Sequence, residues 1–478
     1  MSLDTLLDIG SVQTKWVVGI IGVIVFLFLI ARRRSFAKNR SRNSRRETHD
    51  LVVEWESSAG GQIPVQPWME TGNMKALLAA LSAGGKEVRF VGGCVRDALL
   101  HRDVGDIDLA TQERPDRVIE LLENAGIQAI PTGIEHGTVT AAFGSETYQI
   151  TTLRKDVKTD GRHAEVAFTE DWKEDAFRRD FTFNTLSATP DGMVYDYCNG
   201  IQDLAERRIH FVGQAEKRIK EDYLRILRFF RFIATLGMRI DDKFSYQQCI
   251  RHAPELATLS GERIRVELFK IFASEIKYDA LKLMKDGGIT QHFLPELAHL
   301  DKLKRLIWLE TTAIKFDHVA PDPVRRLAAA IETDADGVRE ITQRLKLSNA
   351  ERDHLLALVE PAWTPDPDTG EDTVRGALYR LGPSVVIDLG LLEWARRLTT
   401  MPRLPREQTD AWLNLMELAD QWEPVEFPVR GQDVLDMNIE PGKYVSELLA
   451  QVEDWWIAGG CRAGRDDCLA ELRRVANA

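Results

Sequence analysis

Near Phe211 the hydrophobic rhythm of this 478-residue chain changes, and that change limits the folds open to it. Upstream, from about Trp68, short alternating apolar stretches are interleaved with helix-length segments and closed by glycines. "EVRFVGGCVRDALL" reads as a strand, a tight turn and a helix start, and "GDIDLAT" as a second strand. "PDRVIELLENAG" reads as a helix with a terminal glycine, and "HGTVTAAFGSETYQITTLR" as two strands joined by a turn. Strands and helices mix without regular βαβ repetition, which predicts an α+β domain. Downstream of Phe211 strands nearly vanish, and long amphipathic helices run to the end. There "LSNAERDHLLALV" carries Ser348 and Glu351 at capping-box spacing, and "PAWTPDPDTGED" is the clearest loop. The expected division is residues 1–64, an α+β unit over 65–210, a helical segment over 211–275 and a helical remainder over 276–478.

The N-terminus departs from the globular pattern. "WVVGIIGVIVFLFLIA", Trp16 to Ala31, is an uncharged run between Lys15 and Arg32–Arg33–Arg34. It is slightly short for a hydrocarbon core of ~30 Å, though flanking residues extend it. The basic tract after it would hold the remainder in the cytoplasm. The expectation is a single transmembrane anchor and a basic linker over 1–64, with the rest on the cytoplasmic face. A cleaved signal peptide fits poorly, because the positive charge lies on the wrong side. The competing reading is a start at Met69, which keeps every chemical motif below. Five scattered cysteines without a CxxC pair favour a reducing compartment, with buried thiols as the default. A net charge of −12 argues against a nucleic-acid coat that works by bulk positive charge, but local basic stripes decide such binding.

Four short stretches carry chemistry. Gly92–Gly93 sit between an apolar strand and "CVRDALL", where a backbone can approach phosphates closely. Arg96 in that first helical turn is unfavourable for the helix dipole unless an anion sits there, although Asp97 is an equally simple partner. Asp106 and Asp108 flank Ile107, so on a strand both carboxylates leave one face. That spacing lets them grip Mg²⁺ together, or it is merely a solvated acidic edge. In "RRDFTFN" the arginines could hold a triphosphate, with Asp180 and Asn184 ordering a ribose or the turn itself. The alternative there is a helix C-terminus with favourable positive charge. In "KEDYLRILRFFRF" the spacing predicts one helix with Asp222 and Arg225 on one face and Arg228 and Arg231 continuing it. Asp222–Arg225 is either a surface ion pair or a base reader. A carboxylate accepts from the exocyclic amines of cytosine and adenine, and so rejects the carbonyls of uracil and guanine.

Together these stretches resemble the class II tRNA nucleotidyltransferases, the CCA-adding enzymes, within the DNA polymerase β-like superfamily. "FVGGCVRDALL", "GDIDLAT", "GIEHGTVTAAF", "TTLRKDVKTDGRHAEVAF", "RRDFTFNTL", "YDYCNGIQDLAERRIHFVG" and "RIKEDYLRILRFFRF" match in the family's order, from about Trp68 to Ser274. The resemblance implies a nucleotidyltransferase head, a helical neck carrying the nucleotide-selecting motif, and a helical body and tail. It implies stepwise addition of C, C and A to a tRNA 3′ end from CTP and ATP, with Mg²⁺ as cofactor and release of pyrophosphate. Asp106 and Asp108 fall on the family's metal-binding carboxylates. Gly93, Arg96 and Arg179 fall on nucleotide-contacting positions, Asp222 and Arg225 on its protein template for the base, and Arg228 and Arg231 on further nucleotide-site arginines. "KDVKTDGRHA" resembles the loop that helps the switch from C to A. His136 and His163, though inside matching motifs, are expected to serve structure or loop. Gln149 stands where many relatives carry an acidic residue, which leaves a third metal ligand unassigned.

The nearest rival is a bacterial poly(A) polymerase, which usually carries an "RRFRLA"-like strand where this chain has "GIEHGTVT". A partial enzyme adding only CC or only A is a second; the intact "DGRHA" loop argues against CC alone and leaves A alone open. A membrane-tethered RNA-binding protein with a decayed site is a third, disfavoured by the joint presence of the paired aspartates, both "RRD" arginines and "EDYLR". For tRNA, the helical half is expected to touch acceptor-stem backbone, through Arg263, Arg265 and Lys270 on "GERIRVELFK". Those side chains read equally as a solvated helix face.

Overall fold

A computed structural model describes residues 61–159, 164–274, 279–314 and 319–477. The apolar run over 16–31, the basic tract after it, and His163 lie outside the described residues. Among the described residues no helix is long and apolar enough to cross a membrane.

The first half is built on a mixed seven-stranded sheet in the order β3-β4-β5-β2-β1-β8-β9. Its strands are β1 (Val88–Val91), β2 (Asp108–Thr111), β3 (Gln128–Gly133), β4 (Thr138–Phe143), β5 (Glu146–Thr152), β8 (Ser187–Ala188) and β9 (Val194–Tyr195). A separate antiparallel pair, β6 (Arg154–Thr159) and β7 (Ala164–Phe168), takes up most of the stretch Lys155–Ala164 that was expected to be a loop, and residues 160–163 of that stretch lie outside the described residues. β4 and β5 form the expected hairpin, pairing Phe143 with Glu146 across its turn. β1 and β2 are antiparallel, whereas β2 and β5 are parallel, and that register sets Asp108 directly beside Gln149. The strand begins at Asp108, so Asp106 lies in the segment leading into it rather than within a common strand.

Helices Gly72–Ser82 and Pro115–Asn124 supply the apolar layer through residues such as Leu77, Leu81, Val118 and Leu122, all essentially sealed from solvent. Ile63 is buried and Trp68 packs edge-on against Phe90, with ring centroids 4.8 Å apart. Four of the five cysteines are buried thiols and Cys198 is partly so. From Gly200 onward the named elements are helices, and one apolar core runs from the sheet into them without a break. A smaller second core, including Val434, Trp456 and Leu472, closes the C-terminal end. The Ser348–Glu351 capping box forms as expected, with the Glu351 N–H donating to Ser348 Oγ and the Ser348 N–H to Glu351 Oε2.

One expected helix is two. Helix Ala215–Glu221 ends at Asp222, whose backbone is extended (φ −156°, ψ 109°), and a new helix runs Leu224–Leu236. The Asp222 carboxylate accepts the Leu224 N–H at 3.1 Å and its carbonyl accepts the Arg225 N–H at 3.0 Å. An aspartate that can bond a helix's first free N–H groups competes with helix continuation, and here it wins.

Candidate active site

The sheet and the Leu224–Leu236 helix enclose a cavity of about 610 Å³. Its wall carries eight arginines, Arg96, Arg154, Arg178, Arg179, Arg225, Arg228, Arg231 and Arg263, facing five aspartates. In a chain of net charge −12 that is a local concentration of guanidinium, though most of these arginines are paired with carboxylates. Gly93, Asp106, Asp108 and Asp222 line it too, so the nucleotide and metal residues expected from the sequence meet in one space.

The glycine turn works through Gly92. It adopts a left-handed φ of 71°, and a Cβ there would sit 3.1 Å from Arg179 Nη1. Gly93, the residue singled out from the sequence, starts the helix Gly93–Leu99 and has far more room. Arg96 is clamped by Asp97 (Nε–Oδ1 2.9 Å, Nη2–Oδ2 2.7 Å), and its third contact donates to Asn184 Oδ1 at 2.8 Å. Asp97 is thus the partner of Arg96, which also lines the cavity.

"RRDFTFN" proves to be the hub. Buried Asp175 accepts from Arg178 Nε at 2.8 Å and Arg179 Nη2 at 3.1 Å, aiming both arginines at the cavity. Asn184 Nδ2 donates to Asp180 Oδ1 at 2.9 Å, and Arg228 Nε to Asp180 Oδ2 at 2.6 Å. A continuous chain, Arg96–Asn184–Asp180–Arg228, thus ties the glycine turn to the helical half. Burial works against the Asp180 charge, but Arg228 and the Asn184 hydrogen bond outweigh it and hold the carboxyl down to about 2. Phe232 stacks among these cations, with the Arg96, Arg228 and Arg231 guanidiniums 5.3, 5.6 and 4.1 Å from its centroid. Burial, with Arg228 and Arg96 as like-charged neighbours, pulls Arg231 down to about 10 despite its contact with Glu267. An anion in this space would relieve that crowding.

Asp222 and Arg225 are not each other's ion-pair partners among the described residues. Asp222 Oδ2 accepts from Arg263 Nη2 at 2.7 Å, while Arg225 Nη1 donates to Glu221 Oε2 at 2.7 Å and to the Arg218 carbonyl at 2.9 Å. Each is held by a third residue, with both facing the cavity. The expected stripe on Gly261–Ala273 is accordingly divided. Arg263 lies in the cavity, Arg265 is tied to Glu351 at 2.5 Å, and Lys270 is exposed. Asp175 and Glu221 were missed as partners although each stands three or four residues from its arginine, a spacing that could have found them, whereas Glu267 and the Arg96–Asn184 bond join distant stretches. His136 is outside the cavity lining, and its carbonyl accepts from Arg154.

The metal question turns on Asp106 and Asp108. Burial raises the Asp108 carboxyl above its ordinary range; Arg179 opposes this and Asp106 adds to it. Two adjacent carboxylates with that mutual repulsion, and the amide of Gln149 beside them, form an all-oxygen donor set that fits a hard divalent cation. Among the described residues no group of three or more His, Cys, Asp or Glu could hold a metal, so any ion here would draw its remaining ligands from water and phosphate.

Comparison with known proteins places this geometry. A model of the Poly A polymerase head domain matches residues 88–210, and one of the probable RNA and SrmB-binding site of polymerase A matches residues 237–300. The mitochondrial CCA tRNA nucleotidyltransferase 1 of Mus musculus is 34% identical over 409 residues, covering 85% of this chain and 91% of that protein. The chain belongs to the CCA-adding tRNA nucleotidyltransferase family. A CCA-adding enzyme of Lactococcus lactis is 31% identical over 84% of this chain and 96% of its own length. The crystal structure of the Bacillus stearothermophilus CCA-adding enzyme in complex with CTP superimposes with a TM-score of 0.66 at 27% identity, covering 84% of this chain and 97% of that one. The α+β half and the helical half thus recur together in the family.

Proposed function

We propose that this nucleotidyltransferase completes tRNA 3′ ends by adding C, C and A from CTP and ATP within the arginine-rich cavity. The observation that carries the reading is the cavity itself: Asp106 and Asp108 stand on one wall, and Asp222, Arg225 and the guanidinium cluster on the others. Arg96, Arg179, Arg228 and Arg231 bind the triphosphate and stabilise the departing pyrophosphate. Asp222 accepts the exocyclic amine of C or A and Arg225 donates to the neighbouring ring acceptor, so the protein takes the place of a template. Arg263 and Glu221 hold these two readers in position. Asp106 and Asp108 would hold Mg²⁺, which when bound supplies Lewis-acid activation of the hydroxyl and neutralisation of developing charge. The RNA 3′ oxygen bonds to the α-phosphorus, the bond to the β-phosphate oxygen breaks, and the hydroxyl proton leaves to water at the carboxylate wall.

The deciding experiment is extension of tRNA transcripts lacking CCA, CA or A with each single nucleotide. The expected products are C and C from CTP, then one A from ATP. Extension of only the CC-ended transcript would instead make it an A-adding enzyme, and a long A tract would make it a poly(A) polymerase. For residues 16–31 we propose a tether to the cytoplasmic face of a membrane, supported by the uncharged run and its Arg32–Arg34 flank. The full chain should sediment with membranes and a chain lacking residues 1–60 should not; a soluble full chain would contradict this.

A further inference from the structure

A cavity of about 700 Å³ opens on the helical half, among the helices Asp279–Asp286, Leu300–Trp308 and Pro383–Thr400. It shares no lining residue with the arginine-rich cavity. Four basic side chains line it, Lys282, Lys285, Lys302 and Arg396, against two acidic ones, Asp286 and Asp301. In a chain of net charge −12 that is a local reversal of sign.

Pairing inside the pocket separates the compensated charges from the open ones. Lys282 is bonded to Asp286 at 2.6 Å, and Arg396 grips Glu393 through two bonds of 2.6 Å. Lys285 instead donates to the Ala298 carbonyl at 3.0 Å, a neutral partner that leaves its charge uncompensated. Lys302 is partly buried, and among the described residues its ammonium forms no hydrogen bond or ion pair. Burial, with Arg396 as a like-charged neighbour, holds Lys302 below the ordinary lysine range; Glu393 opposes this but is itself bonded by Arg396 and Arg397. Both lysines stand at the start of helix Leu300–Trp308, whose N-cap His299 offers no side chain to the first free N–H groups. Asp301, exposed in that same turn, is the acid that remains.

A group with several negative oxygens answers two uncompensated ammoniums and the helix N–H groups at once. No Phe, Tyr or Trp lines the pocket, so a base finds nothing there to stack on. We infer that the pocket around Lys285 and Lys302 binds a phosphate group, as a second anion site outside the nucleotidyl-transfer cavity. The expected source is the tRNA backbone. The stripe expected to hold it is divided, with Arg263 in the active-site cavity and Arg265 tied to Glu351, so backbone phosphates on the helical half need other cations. That source rests on the functional reading above, whereas the phosphate chemistry does not.

The test compares the full chain with Lys285→Gln/Lys302→Gln, using a CC-ended tRNA transcript with ATP and, separately, radiolabelled inorganic phosphate. With RNA as the source, the variant's KM for tRNA should rise about fivefold to tenfold and its log–log salt slope should fall by about one to two, while its KM for ATP stays within about twofold. Lys285→Arg/Lys302→Arg should recover most of the loss. With free phosphate as the occupant, the tRNA KM stays at the wild-type value. Equilibrium dialysis with ATP filling the active site would then find phosphate bound to wild type and lost from the variant. Thr399→Glu adds a negative charge at an exposed lining position and should match the double variant, so it decides alone if that variant does not fold. Folded variants that change neither measurement would overturn the site, as would an equal rise in the ATP KM. A wild-type chain that transfers no nucleotide would overturn the functional reading instead, and direct tRNA binding with the phosphate dialysis would still decide the pocket.

Discussion

Two arginine–carboxylate networks stand in this molecule, and they are used in opposite ways. In the helical half, Glu310 accepts from Arg325 Nε at 2.8 Å and Arg326 Nε at 2.7 Å, Arg325 Nη1 reaches Asp388 at 2.6 Å, and Asp388 closes on His354 at 2.7 Å. Arg326 is wholly enclosed and also donates to the Phe272 and Ser274 carbonyls. At the candidate active site, Asp175, Asp180, Glu221 and Glu267 grip arginines in much the same manner, yet each of those arginines lines a cavity of about 610 Å³. The difference is that, among the described residues, only the second network opens onto a cavity. Charges sealed on every side contribute to the fold, whereas charges sealed on one side are preorganised for a ligand.

The sharpest break in that comparison is Asp108→Asn. It should lower nucleotide incorporation on the order of 10³-fold or more while the melting temperature holds or rises, because a half-buried charge repelled by Asp106 is removed. Incorporation assays beside thermal melts would check both halves. Glu310→Ala should do the converse. Stripping the carboxylate from two buried guanidiniums should cost about 3–5 kcal/mol of stability in urea titrations, with the rate per folded molecule unchanged. Arg231→Met is expected to raise the KM for both CTP and ATP by roughly tenfold, since this guanidinium is crowded by its cationic neighbours until an anion arrives.

The smallest effect concerns pH. The Asp388 hydrogen bond, opposed by burial, raises the His354 pKa above its ordinary value, and Asp203 does the same for His210. A raised histidine pKa contributes stability that is fully present below about 6.5 and is lost as pH climbs through the folded value. Melting temperature should therefore decline as pH rises above about 6.5, and His354→Gln should flatten part of that slope. An unchanged slope in that variant would separate His354 from the pH response.

Much of the fold was legible because its signals are local. The strand–turn–helix at "FVGGCVRDALL", the β4–β5 hairpin and the Ser348 capping box all follow from neighbours in sequence. Some of what escaped was local, such as Asp175 four residues before Arg179 and Glu221 four before Arg225, but the rest depends on partners far along the chain. Arg263 lies 41 residues from Asp222, so its spacing on a helix face could not place it in the cavity. Asn184 reaches Arg96 across 88 residues, and nothing in "RRDFTFN" alone distinguishes that bridge from a ribose contact. The break at Asp222 was missed for another reason. Helical periodicity runs unbroken through "KEDYLRILRFF", and the carboxylate's competition for the next helix's N–H groups outweighs it. The doublet Gly92–Gly93 was recognisable, but not that Gly92 is the one with the left-handed conformation.

Base choice by protein side chains is the point on which the active-site reading depends most, and Asp222→Ala combined with Arg225→Ala probes it directly. Incorporation of each of the four nucleotides onto a CC-ended tRNA should be compared between this variant and wild type. Wild type should strongly prefer ATP. In the variant, discrimination against UTP and GTP should fall by roughly 10- to 100-fold while nucleotide binding through the arginine cluster persists. A folded variant that still refuses UTP and GTP as wild type does would contradict the assignment of these residues as the template.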